Sequence, residues 1–164
     1  MRRDQREREF TEFFAARAPA LRRTAYVVVR DWHVAEDLTQ QAFAKVYVAW
    51  PRIREETRIA YTRRAVVNEC LSHLRRHRPE TPTAELPEGA TAAVEESVHD
   101  LGTALAALPD RQRAIVALRF LDDLSVAEVG RLLGIADGTV MSQTNRALET
   151  LRTRLPNLDL EDTR

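Results

Sequence analysis

Apolar residues return every three or four positions along most of this chain, with charged residues between them, and that period predicts helix almost throughout. The pattern is sharpest between Leu124 and Leu155. Ser125 followed by Glu128 is a capping box, in which a hydroxyl and a carboxylate satisfy free N–H groups at a helix start. Val126, Val129, Leu132 and Leu133 share one face, and Gly134 sits just past them, where a left-handed helix stop favours a residue without a Cβ. Asp137 falls in the first turn of a second helix, where a carboxylate complements the helix dipole. That helix carries Val140, Thr144, Ala147, Leu148, Leu151 and Leu155 on one side, and Gly138, Thr139, Ser142, Asn145, Arg146 and Glu149 on the other. Two short helices around a tight turn, the second with small polar residues leading into Asn and Arg, suit a helix-turn-helix reading base edges and phosphates. The solvated face of a helical hairpin has the same spacing, and the pattern alone leaves both readings open.

Upstream, residues 5–30 predict a helix, an interruption at Pro19, and a second helix, with Phe10, Phe13 and Phe14 on one apolar edge and Leu21, Tyr26, Val27 and Val28 on another. The expected turn is DWH at 31–33. From Val34 to Trp50 a stronger helix buries Ala35, Leu38, Ala42, Phe43, Val46, Ala49 and Trp50, and Pro51 stops it. Its opposite face opens with Glu36, Asp37, Gln40 and Gln41, which in isolation read as ordinary first-turn acids and amides. A third helix is expected from Thr57 to Arg78, with Ala60, Val67, Cys70, Leu71 and Leu74 inward. Outside, Tyr61, Arg64, Asn68, Ser72, Arg75 and Arg76 form one stripe. An aromatic ring, an amide and several guanidiniums on one face are what unstacked bases and a phosphate backbone require. The helix dipole explains basic residues at the end, Arg75, Arg76 and Arg78, but not Tyr61, Arg64 and Asn68 lined up above them. Helix resumes weakly near Val94 and firmly at Leu101–Leu108, and Pro109 opens another through Ile115, Leu118 and Leu121 that packs under the helix-turn-helix.

Charge divides the chain. The formal net charge is zero over 164 residues, yet residues 1–78 hold 17 basic and 10 acidic side chains. Residues 79–100 hold six acids, no Lys or Arg, and Pro79, Pro82 and Pro87, the composition of a flexible acidic linker. Residues 101–164 hold 8 basic and 9 acidic side chains, the last stretch, 156–164, being an acidic tail. The reading is therefore all-α: two small helical domains, 1–78 and 101–155, joined by that linker. The basic first block points to a polyanion partner. Lys45 is the only Lys among 25 basic residues, and Arg is the better bidentate partner for phosphate and guanine. Cys70 is the only Cys, so no disulfide or Cys-based metal site is expected, and the four His have no ligand spacing. Without a Gly-rich phosphate loop or nucleophile elbow, no catalytic residue, metal or cofactor is expected. No apolar run is long enough to span a bilayer, so no membrane insertion and a cytoplasmic location are expected.

With these pieces placed, the chain resembles bacterial sigma factors of the extracytoplasmic-function group, nearest the short actinobacterial SigE type. AEDLTQQAF at 35–43 resembles the region 2 segment that docks on the clamp helices of RNA polymerase. YTRRAVVNECLSHLRR at 61–76 resembles the helix that melts and reads the -10 element, and 108–152 resembles region 4. The resemblance implies a region 2 bundle and a region 4 helix-turn-helix that direct transcription initiation without enzymatic activity. It implies as partners core polymerase, through clamp helices and flap, promoter DNA, and an anti-sigma factor where one exists. By resemblance, Asp37, Leu38, Gln40, Gln41 and Phe43 touch polymerase. Tyr61, Arg64, Asn68 and Ser72 face the -10 strand with Arg75 and Arg76 on phosphate, and Thr139, Ser142, Gln143, Asn145 and Arg146 face the -35 groove. The chain departs from the family in having Gln41 for a usual Glu, Ser72 for a common Asp, and Met141 and Gln143 where Lys or Arg is frequent. Its reading helix thus carries little positive charge, and region 4 alone is expected to bind DNA poorly. The competing expectation is a helix-turn-helix regulator with an N-terminal dimerisation or sensing domain. That domain would bring a pocket or dimer seam in place of a Tyr/Arg/Asn/Arg stripe.

Overall fold

The computed structural model describes residues 2–77 and 100–157, and among these every regular element is helical. The chain divides into two compact units, Met1–Glu80 and Thr81–Arg164. The expected linker at 79–100, apart from its last residue, lies outside the described residues, as do Arg78, the resumption near Val94 and the end of the tail.

The first unit is a three-helix bundle of α1 (Arg3–Val29), α2 (Trp32–Ala49) and α3 (Arg58–Arg76), each packed on the other two. Contrary to the expected interruption, α1 runs unbroken through Pro19. Proline removes one N–H and crowds the preceding turn, at about 3 kcal/mol in a helix interior. Here Ala15, whose carbonyl loses its donor, lies on the exposed side with Pro19, while Ala18, Leu21, Ala25 and Val28 hold the inner face in the bundle. The turn also falls earlier than DWH. Arg30 adopts the left-handed conformation (φ 60°), donating its N–H to the Tyr26 carbonyl at 2.8 Å, and its guanidinium lies 4.8 Å from the Tyr26 ring centroid. Asp31 is then the N-cap of α2, accepting from the Val34 N–H at 3.1 Å, so Trp32 and His33 are already helical.

Trp50 is the hub of this bundle. It is fully buried one step past the end of α2, with Phe10 and Phe13 of α1 at ring-centroid distances of 5.4 and 5.1 Å. Val46, Ile53 and Ala65 close the same cluster, and the Arg58 guanidinium at the start of α3 lies 4.1 Å over the indole. Phe14 meets Phe43 edge-on at 4.9 Å, extending the aromatic layer. On α3 the inner face is Thr62, Val66, Val67, Glu69, Cys70 and Leu74. Of the inward residues expected there, Ala60 is instead exposed and Leu71 only half-buried. Thr62 and Val66 are fully buried on that face instead.

The second unit comprises α4 (residues 100–106), α5 (Asp110–Val116), α6 (Val126–Leu133) and α7 (Asp137–Arg154). Ile115, Leu118, Val129, Val140, Ala147, Leu148 and Leu151 form its core. After α5 the helix widens into a π segment, Ala117–Leu121, where the Asp122 N–H reaches back five residues to the Ala117 carbonyl at 3.1 Å. The wider turn rotates Leu121 off the buried face, so this expected core residue is exposed. Asp123 in the left-handed region (φ 55°), a conformation Asp tolerates, leads into α6.

The helix-turn-helix forms as the pattern predicts. Ser125 Oγ accepts from the Glu128 N–H at 3.1 Å, and Glu128 Oε2 accepts from the Ser125 N–H at 2.7 Å. Gly134 (φ 68°) ends α6. Gly130 sets the turn itself, because a Cβ there would lie 2.8 Å from the Ile135 carbonyl oxygen and 3.1 Å from Asp137 Oδ1. Both atoms belong to the turn and the first residue of α7, so a side chain would push α7 away. Gly130→Ala is expected to lower the stability of this unit by about 1–3 kcal/mol despite the better helix propensity of Ala. Denaturant unfolding followed by circular dichroism measures it, and an unchanged or raised midpoint would contradict the close approach.

Candidate nucleic-acid interface

Among the faces left exposed by this packing, two on the first unit and one on the second carry the polar stripes expected from the sequence. On α2 the apolar stripe turns inward and leaves Asp37, Gln40 and Gln41 in solvent, continued by Ala44 and Val48, the latter 67% exposed. Leu38 and Phe43, expected to touch polymerase, are only 4% and 2% exposed. That expectation is corrected: Leu38 lies in the buried core and Phe43 beneath Phe14, so both orient the face from below and neither contributes contact surface. Val48 is a β-branched apolar residue off the buried stripe, a signal present in the sequence.

On α3, Tyr61, Arg64, Asn68, Arg75 and Arg76 are exposed, Tyr61 by 45%. The stripe drawn from the spacing is therefore exposed except at Ser72, which is half-buried and whose Oγ accepts from Arg75 Nη2 at 3.0 Å. The face is held in place from both ends. Glu69, almost buried on the inner side, pairs with Lys45 of α2, and Arg58 reaches Glu9 of α1 at 3.5 Å. Cys70 is fully buried, and burial first, with the Glu69 charge second, pushes its thiol up to about 12. It is a core residue with no accessible thiolate.

On the second unit, Thr139, Ser142, Asn145 and Arg146 of α7 are exposed together with Gly138, Met141 and Glu149. Ser142 Oγ donates to the Thr139 carbonyl at 3.2 Å, which leaves its lone pairs outward. Gln143 differs from its neighbours: it is half-buried, and its Oε1 accepts from Gln112 Nε2 of α5 at 2.9 Å. No local pattern could have paired Gln112 with a residue 31 positions away. Among the described residues no cluster of His, Cys, Asp or Glu could hold a metal ion, and no helix is long and apolar enough to cross a membrane.

The chain matches known proteins along most of its length. The family profile "Sigma-70 region 2" matches residues 13–80, and "Sigma-70, region 4" matches residues 99–151. The RNA polymerase sigma-E factor of Streptomyces coelicolor is 38% identical over 159 residues, covering 93% of this chain and 89% of that protein. The chain belongs to the sigma-70 family. It is a sigma factor of the extracytoplasmic-function group, a promoter-specificity subunit with no catalytic activity of its own, whose partners are core RNA polymerase and promoter DNA. ECF sigma factor SigM of Mycobacterium tuberculosis is similar at 34% identity, covering 91% of this chain and 76% of that one. Among solved structures, the sigma factor RpoE of Bartonella quintana, crystallised with the anti-sigma factor NepR, superposes with a TM-score of 0.78 at 22% identity. It covers 91% of this chain and 98% of its own, a likeness of fold. The region 2 match over the bundle displaces the reading of a regulator with a dimerisation or sensing domain.

The α3 helix ends on a pair of stacked imidazoles. His73 and His77 stack at 4.7 Å between ring centroids. Burial first, then the charges of His77 and Arg76, lower the His73 pKa from 6.5, while Asp31 opposes them. A depressed imidazole pKa means the folded state favours the neutral ring. Its stabilisation is complete above the unfolded value and is lost as pH falls through the folded one. Acidification from about pH 7.5 to about pH 5 is expected to lower the melting temperature of the bundle, and His73→Gln to remove part of that loss. Calorimetry at both pH values checks this, and an identical pH dependence in the variant would dismiss it.

Proposed function

We propose that the three faces divide promoter recognition between them. The α2 face, Asp37, Gln40 and Gln41 with Val48, docks on core polymerase. The α3 stripe takes the opened -10 strand, Tyr61 stacking on a base, Asn68 reading a base edge, and Arg64, Arg75 and Arg76 holding phosphate, with Ser72 beside them. The outer face of α7, Thr139, Ser142, Gln143, Asn145 and Arg146, lies in the -35 major groove. Residues 1–78 are the polymerase-binding and -10 domain, 79–100 a linker, and 101–155 the -35 domain. The protein works in the cytoplasm, where polymerase and DNA meet. The similar RpoE fold was crystallised with an anti-sigma factor, and a partner of that class here would compete with polymerase for the α2 face.

One observation carries this reading: Tyr61, Arg64 and Asn68 stand exposed in one line on α3. Buried polar groups explain none of them, whereas a melted strand needs stacking, amide and guanidinium partners. Extracting a base from the duplex costs a few kcal/mol, which contacts to the captured base must offset. Asn68 offers both donors and an acceptor to a base edge hidden in the paired duplex.

Asn68→Ala is expected to leave polymerase binding intact and to impair open-complex formation on duplex promoters. On a template already mismatched through the -10 element the defect should shrink without vanishing, since melting is bypassed while base reading is still lost. Permanganate footprinting of both templates reads this directly, and wild-type opening by the variant would refute the -10 role.

Asp37→Arg is expected to abolish co-elution with core polymerase while helical content and melting stay unchanged. A reversed charge against a basic partner surface costs several kcal/mol. Undiminished co-elution would remove the α2 face from the interface.

A further inference from the structure

We infer that Gln112 is a positioning residue for -35 recognition, acting through its hydrogen bond to Gln143 to decide which class of base the reading helix accepts. The inference rests on the proposed placement of α7 in the major groove. At 100° per residue, Thr139, Gln143 and Arg146 fall within about 60° of arc on α7, one turn apart. Gln143 therefore stands at the edge of the exposed face, one side toward α5 and the other toward the groove. Its amide ends in an oxygen that only accepts and a nitrogen that only donates, and a freely rotating Gln can present either. In the structure the pairing with Gln112 selects one of the two. Gln112 Nε2 donates to Gln143 Oε1 at 2.9 Å, both residues being half-buried, so the oxygen is turned to α5 and the NH2 group is the free end.

An outward NH2 group matches a base that shows a keto oxygen in the major groove, guanine O6 or thymine O4. It meets the amino groups of adenine N6 and cytosine N4 donor to donor. Gln112 touches no base in this scheme. It sets the orientation of the residue that does, in a helix whose first two turns carry no cation to override the choice.

Substitutions at Gln112 separate this role from a merely structural one. A carboxylate only accepts, so in Gln112→Glu the Gln143 amide must donate its nitrogen to α5 and turn its oxygen outward. Gln112→Lys keeps a donor. Gln112→Leu removes the donor at similar volume, frees the amide to rotate, and serves where the carboxylate is not tolerated. The assay is run-off transcription by holoenzyme, reconstituted from core polymerase and the full chain, on a promoter library randomised through the -35 element, with transcripts sequenced. The wild type and Gln112→Lys are expected to prefer a keto-bearing base at one position. Gln112→Glu is expected to shift that position toward an amino-bearing base by about five- to 150-fold, and Gln112→Leu to relax it. A uniform loss over all sequences, or an unchanged preference in Gln112→Glu and Gln112→Leu while the -35 element is still read, overturns the role of Gln112 alone. A wild type indifferent to the whole -35 element overturns the groove placement of α7 and this inference with it.

Discussion

Burial of Trp50 is the constraint on which the first unit depends. The indole sits at the end of α2, yet its neighbours come from all three helices: Phe10 and Phe13 of α1, Val46 and Ala49 of α2, Ala65 and the Arg58 guanidinium of α3. Once the ring is placed, the rotation of α2 and α3 about their own axes is set. The rotation decides which residues face water. Asp37, Gln40 and Gln41 on one helix and Tyr61, Arg64 and Asn68 on the other are outward because Leu38, Phe43, Val66 and Val67 are consumed by the core. Truncating a buried Trp costs about 3–5 kcal/mol. Loss of Trp50 would thus misplace both faces before touching either.

The second unit solves the same problem with backbone geometry. Its elements are short, α6 having eight residues, and a helix of that length is not stable by propensity. The capping box supplies the start, Gly134 the stop, and Gly130 the room for the turn to close on α7. The buried Arg113 adds a tie, donating to the Leu108 carbonyl at 2.9 Å and to Asp110 Oδ1 at 3.0 Å across the start of α5. The outer face of α7, proposed for the -35 groove, is consequently fixed by packing on α5 and α6 and carries little charge over its first three turns. Arg146 is the one cation on α7 before its last turn. In the proposed role such a surface would discriminate by hydrogen bonding more than it attracts by charge.

Much of this was legible along the chain because it depends on neighbours in sequence. Ser125 and Glu128, Gly134, and the two faces of α7 are separated by one to four residues, and helical periodicity carries such relations without knowledge of the fold. The α3 stripe was legible for the same reason. Where expectation and structure part, the cause is packing at long range. Pro19 reads as a break, but tertiary contacts on the inner face of α1 outweigh a local cost paid on its solvent side. Leu121 reads as core until the π segment rotates it outward. Leu38 and Phe43 sit in a motif whose resemblance marks the whole segment as contact surface, and only the three-dimensional bundle separates its exposed residues from its buried ones.

By itself the sequence determined the helical class, the placement of the helix-turn-helix, the family, and the two polar stripes, all consequences of period, capping chemistry and motif. Tertiary structure alone decided the pairings that join distant segments: Lys45 with Glu69, Arg58 with Trp50 and Glu9, Gln112 with Gln143. The physical reason is that a side chain's capacity to bond is written in its chemistry, while its partner is chosen by whichever surface the burial of apolar residues brings alongside.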